Sequence, residues 1–131
     1  MIAADTNVLV RLIVGDEPAQ AAKARKVFDR AAAEQSTVWV SDTVLVELVW
    51  TLSRAYSRER VDIVKALRAL LSNATVALES AVAVREATHA FEHGRADFAD
   101  CLLCVKAVLA GCDRVVTFDR GMKALPGVAL L

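Results

Sequence analysis

Short apolar runs alternate with longer amphipathic stretches along the whole chain. Residues 1–4 are apolar and stop at Asp5, which predicts a brief buried strand and then a helix, capped by Asp5 or Thr6 and running to Val14. Gly15 ends that helix. Asp16-Glu17-Pro18 opens the next, with acids in its first turn and proline near its start, reaching about Ala33. Residues 37–40, β-branched and aromatic, predict a second strand. Ser41 and Asp42 cap a helix with Val44, Leu45, Leu48, Val49 and Leu52 on one side, and Glu47 lies within it. A polar break over 53–60 precedes an amphipathic helix over about 61–71. A third strand follows at 74–78. The next helix runs from about Ser80 to His93 and stops at Gly94; another starts near Asp97 and stops at Gly111. The fourth strand covers 114–118 and ends at Asp119. Pro126-Gly127 predicts a short helical turn before a last strand over 128–131.

Strands and helices alternating at this spacing imply right-handed crossovers and a parallel sheet covered on both faces. No repeat, linker or low-complexity segment interrupts the 131 residues, so a single domain over 1–131 is expected. Hydrophobic residues make up 56% of the chain, enough for a core without disulfide staples, and aromatics only 5%, which favours helices on a sheet over a sandwich. Sixteen Lys and Arg balance sixteen Asp and Glu. Bulk charge therefore draws in no nucleic acid, and any such contact rests on local placement. Cys101, Cys104 and Cys112 are odd in number and set among apolar residues, which suits reduced thiols in the cytoplasm. We expect no secretory leader and no membrane span, since no basic segment precedes the first apolar run and no run of about 18 apolar residues occurs.

The acids carry the chemistry. Asp5 and Asp119 follow the first and fourth strands, and ligands of open parallel sheets bind outside the carboxyl ends of strands where strand order reverses. If those strands are neighbours, the two acids share a crevice. Asp97 and Asp100 open the helix before the fourth strand, three residues apart and on one helical face. Two carboxylates ~5 Å apart repel by about 3 kcal/mol at an effective dielectric near 20. A divalent cation reverses that sign, and oxygen-only ligation selects Mg²⁺ or Mn²⁺ over zinc. Singly, each acid is explained as a helix cap or a solvated side chain; together they are much harder to dismiss as structural.

Asp5-Thr6-Asn7 after the apolar start, Glu47 in Val-Glu-Leu-Val-Trp, residues 96–103 (ADFADCLL), and Val116-Thr117-Phe118-Asp119-Arg120 resemble, in order, the four motifs of PIN-domain ribonucleases of the VapC toxin type. The resemblance spans the chain. It implies a three-layer α/β/α fold with a parallel five-stranded sheet of order 3-2-1-4-5. It also implies Mg²⁺- or Mn²⁺-dependent endoribonuclease activity, homodimerisation and inhibition by a cognate antitoxin protein. In that reading Asp5, Glu47, Asp100 and Asp119 are catalytic. Asp5, Asp97, Asp100 and Asp119 hold metal, Asp97 being an extra acid at the pocket edge, and Asn7 and Thr117 orient carboxylates. Cys101 and Cys104 stand where small aliphatic residues are usual, and both are small enough to pack.

Arg11 and Arg120, beside the acidic motifs, are candidate RNA contacts, and Arg54, Arg58, Arg60, Lys65 and Arg68 crowd another region that could serve RNA, dimer or antitoxin. His89-Ala90-Phe91-Glu92-His93 matches the H-x-x-E-H zinc motif letter for letter. Val84, Ala87 and Phe91 mark the buried side of that helix, however, leaving both histidines facing water. Cys101-x-x-Cys104 lacks a second pair and reads as core thiols. A signalling receiver domain would need a phosphoacceptor Asp after its third strand, where this chain has Glu79. The serious alternative is a PIN fold that has lost catalysis and serves as an interaction module.

Overall fold

The computed structural model describes residues 1–131, and the chain falls into two compact units, Met1–Ala81 and Val82–Leu131. The first holds β1 (Ile2–Ala3), α1 (Thr6–Val14), α2 (Pro18–Ala33), β2 (Val38–Val40), α3 (Asp42–Arg54), α4 (Arg60–Ser72) and β3 (Val76–Leu78). Local chemistry sets its boundaries. Asp5 Oδ1 accepts the Thr6 N–H at 2.8 Å and so caps α1. Gly15 closes α1 at φ 68°, in the left-handed region where a side chain is strained. Pro18 starts α2, where its missing N–H has no partner to lose. Ser41 Oγ caps α3 by accepting the Val44 N–H at 3.1 Å.

Three parallel strands form the sheet of this unit in the order β1-β2-β3, with Ile2 opposite Val38 and Val38 opposite Val76. β2 is the middle strand, and Val38 and Val40 have no exposed surface. The stripe expected on α3 is the one that packs: Leu45, Leu48, Val49 and Leu52 are buried, while Val44 is half-buried. Burying each leucine contributes about 1.5–3 kcal/mol, far more than ladders of two or three residues.

The second unit holds most of α5 (Ala81–His93, which begins at the last residue of the first unit), α6 (Phe98–Leu109), β4 (Val115–Thr117) and β5 (Val128–Leu130). Val84, Ala87 and Phe91 on α5 are buried, as predicted, and Phe91 meets Phe98 edge-on at 6.0 Å between ring centroids. Thr88, on the same face, satisfies its buried hydroxyl by donating to the Val84 carbonyl at 2.7 Å. β4 and β5 pair in parallel, Val115 opposite Val128 and Thr117 opposite Leu130.

The fold is thus α/β, with six helices and parallel strands. The strands pair in two sheets instead of the one five-stranded sheet expected: the runs 3-2-1 and 4-5 of the order 3-2-1-4-5 are seen, and its junction between strands 1 and 4 is not. One local expectation was misplaced. The short helical turn lies at Arg120–Met122, as a 3₁₀ turn, and not at Pro126-Gly127. The Asp119 carboxylate accepts the Gly121 N–H at 2.7 Å and caps this turn, whereas Gly127 takes φ 74° and opens the chain into β5. No helix is long and apolar enough to cross a membrane.

Candidate active site

The first unit carries two of the expected acids. Asp5 is exposed at the N-terminus of α1, its carboxylate oriented by the Thr6 N–H. Thr6 itself is 2% exposed, and its hydroxyl oxygen has no hydrogen-bond partner in the protein. Glu47 is exposed on α3, opposite the buried leucines. Asn7 is exposed and, with Val8, Arg11 and Gln20, lines a shallow hollow of about 250 Å³ along α1 and α2.

Arg11, a candidate RNA contact, is held inside the unit. Its guanidinium donates to Gln20 Oε1 at 2.6 Å, to Asp16 Oδ1 at 3.1 Å and to the Tyr56 hydroxyl at 3.1 Å. Tyr56 closes the ring by donating to Asp16 Oδ2 at 3.1 Å. The Tyr56 hydrogen bond, joined by the Asp16 charge, holds the guanidinium protonated more firmly than usual, although burial opposes it.

The second unit carries the other acids. Asp97 is the N-terminal flanking residue of α6, yet its side chain accepts no capping hydrogen bond and stays exposed. Asp100 sits half-buried in the first turn of α6. Burial raises the pKa of its carboxyl above the ordinary carboxylate value, and the charges of Asp97 and Asp119 raise it further. These three acids therefore share one electrostatic field. Cys104, one helical turn on, is raised first by burial and then by the Asp100 charge, which keeps it a thiol. Asp119 ends β4, exposed. Its N–H donates to Thr117 Oγ1 at 3.0 Å, while its carboxylate takes the Gly121 N–H. Gly121 leaves room for that carboxylate. A Cβ there would stand 3.0 Å from Asp119 Oδ1.

The model profile of the PIN domain matches residues 2–128. The chain belongs to the PIN-domain family. Among curated proteins this PIN domain is similar to a VapC ribonuclease of Aquifex aeolicus (strain VF5), with 31% identity over 121 residues, 92% of this chain and 89% of the relative. Family and fold therefore agree with the four motifs from which they were expected.

A divalent cation of the kind such carboxylates imply can be tested against the donors present. They are oxygen donors only, and Asp100 is held against the repulsion of two like charges with burial adding to it. Both features suit a hard cation such as Mg²⁺ or Mn²⁺. Within either unit, no three His, Cys, Asp or Glu side chains stand close enough to ligate one ion unaided. Magnesium needs no such cage, since it commonly keeps several waters and takes only one or two carboxylates. The donor set fits. The H-x-x-E-H motif does not compete with it. His89 and His93 are both exposed, 4.4 Å apart between ring centroids, and bring no third ligand.

Sequence reasoning missed Gly121, whose missing side chain admits the Asp119 carboxylate, and Tyr56, which ties down Arg11 from 45 residues away. The first had a readable signal, since Asp-x-Gly after a strand marks a capped turn. The second had none.

Proposed function

We propose that this PIN domain is a metal-dependent endoribonuclease, the toxin of a toxin–antitoxin pair, with Asp5, Glu47, Asp100 and Asp119 as its working carboxylates. The observation that carries this reading is the uncompensated field at Asp100, where burial and two neighbouring acids oppose ionisation. A group arranged that way lowers stability unless a cation arrives, and such arrangements gather at functional sites. The likeness to a VapC ribonuclease supports the same conclusion.

Bound there, Mg²⁺ or Mn²⁺ would acidify water and offset negative charge growing on the phosphodiester. The residues supply the rest. Asp100 and Asp119 would hold the cation, and the negative charge of Asp97 would strengthen its binding. The Gly121 N–H and the backbone bond to Thr117 keep the Asp119 carboxylate in one orientation before substrate arrives. Asp5, held by the Thr6 N–H, contributes a further carboxylate oxygen. Glu47, free of the apolar stripe of α3, would help to hold the attacking water or take its proton. Attack in line on phosphorus then proceeds without a covalent enzyme intermediate.

The reading extends to a cognate antitoxin, a homodimer and a cytoplasmic site of action, where Cys101 and Cys104 remain buried thiols. It is tested by incubating the purified protein with RNA in EDTA, Mg²⁺ or Mn²⁺, beside Asp5→Asn. Asparagine caps a helix as well as aspartate, so α1 is expected to persist while cleavage is lost. Cleavage in EDTA, or full activity in Asp5→Asn, would refute the assignment. Complete inactivity of the parent with both metals would favour an interaction module instead.

A further inference from the structure

Phe118 stands between the end of β4 and Asp119 and is 82% exposed. Isolated exposed apolar residues are ordinary, so exposure alone assigns nothing. Its setting does. The Leu131 N–H donates to the Thr117 carbonyl at 2.9 Å, and the Asp119 N–H donates to Thr117 Oγ1 at 3.0 Å, so the backbone is pinned on both sides of the ring. The ring also borders a hollow of about 380 Å³ lined by Phe118, Arg120, Lys123, Leu130 and Leu131. The lining side chains include two cations and no carboxylate.

A flat apolar face flanked by a guanidinium and an ammonium matches a ligand that is itself flat, aromatic and anionic. A nucleotide has all three properties: its base offers a face to stack on the ring, and its phosphates meet Arg120 and Lys123. We infer that Phe118 is a stacking platform for one unpaired base of the RNA, with Arg120 and Lys123 gripping the flanking phosphates, so that the substrate is single-stranded at that point. The inference rests on the ribonuclease reading and adds to it Phe118 as a residue that positions the substrate. Bases inside an A-form duplex already stack on their neighbours and leave no face for Phe118, whereas loops, ends and unpaired segments do. Because Asp119 follows Phe118 directly, stacking fixes the strand beside a carboxylate of the cleavage site.

The test is fluorescence anisotropy with a short labelled oligoribonucleotide, single-stranded or annealed to its complement, in EDTA, paired with cleavage kinetics in Mn²⁺. Phe118→Ala is expected to weaken single-strand binding by roughly 10-fold, within the range of one lost base stack. KM should rise with kcat little changed. Phe118→Leu should fail as Phe118→Ala does, because it keeps apolar bulk but no π face, and Phe118→Trp should bind as the parent. Removing Arg120 and Lys123 together should flatten the salt dependence, lowering the slope of log affinity against log salt by about 1.4. Far-UV circular dichroism melts confirm that each variant is folded. Equal binding by Phe118→Ala, rescue by Phe118→Leu, or duplex bound as tightly as single strand would each overturn the inference while cleavage by the parent kept the ribonuclease reading intact. A parent that neither binds nor cleaves RNA would overturn both.

Discussion

Two charged clusters, one in each unit, are built on opposite principles. In the first unit Arg11 meets Asp16, Gln20 and Tyr56, and every member of the ring gains a partner of complementary character. In the second, Asp100 meets Asp97 and Asp119, carboxylates of the same sign, with burial adding to the repulsion. The first arrangement is complete as it stands and holds α1, α2 and the segment after α3 together. The second brings like charges together with no counter-charge acting on Asp100. A satisfied cluster stabilises a fold, and an unsatisfied one holds capacity for a ligand.

The sharpest way to break this contrast is to remove a charge from the second cluster while keeping its geometry. Asp119→Asn retains an oxygen to accept the Gly121 N–H, so the turn at Arg120–Met122 should survive. RNA cleavage in Mn²⁺ is expected to fall at least about 100-fold, the scale of losing a directly acting polar group. Cleavage by Asp119→Asn at the parent rate would make this acid a cap and nothing more.

A subtler change leaves every charge in place. In Gly121→Ala the new Cβ would stand 3.0 Å from Asp119 Oδ1, tight enough that the carboxylate must give by a few tenths of an ångström. Groups that orient metal ligands matter nearly as much as the ligands, and a loss of about 10-fold in cleavage is expected, with weaker Mn²⁺ activation. Unchanged metal dependence would show that the Asp119 orientation is unimportant.

Much of this contrast was legible before any coordinates. Helix ends at Gly15, Pro18 and Ser41 follow from chemistry that acts within three or four residues, and they fell where expected. The apolar stripes of α3 and α5 were equally readable, because a helix of fixed period sorts its own faces. The four acids of the candidate site stood out as types and spacings. What the chain could not display was partnership. Arg11 reads as a free cation beside an acidic motif, and its engagement depends on Tyr56, brought near only by folding. The turn after Asp119 failed for another reason: two local signals, Asp-x-Gly and Pro-Gly, competed between Asp119 and Gly127, and the side-chain cap at Gly121 won.

The first cluster yields a smaller prediction with the opposite sign of consequence. Tyr56→Phe removes the hydroxyl that joins Arg11 to Asp16. In so exposed a setting the loss should be small, a fall of roughly 1–2 °C in Tm. RNA cleavage should be unaltered if Arg11 serves the fold. A changed KM would show that releasing Arg11 frees it for the substrate and would restore it as an RNA contact.

The finest test concerns stability alone. The Asp100 carboxyl is raised above its ordinary value of 3.8 in the folded chain, so the folded state holds this proton more tightly than the unfolded one. By linkage, its favourable contribution is fully present below about 3.8 and is lost as pH rises through the folded value; at neutral pH the ionised group opposes folding. Asp100→Asn removes that opposition. In EDTA at pH 7 the variant should therefore melt slightly higher than the parent, by about 1 °C, since solvent screens much of the repulsion at this partly exposed group. At pH values below 3.8 the difference should vanish. Mn²⁺ should reverse the ranking, because binding to the folded state alone raises Tm and the parent retains the carboxylate that holds the ion. Calorimetry in EDTA and in Mn²⁺ measures both arms. A variant that melts lower in EDTA would make Asp100 a structural residue, and the two clusters would no longer differ in kind.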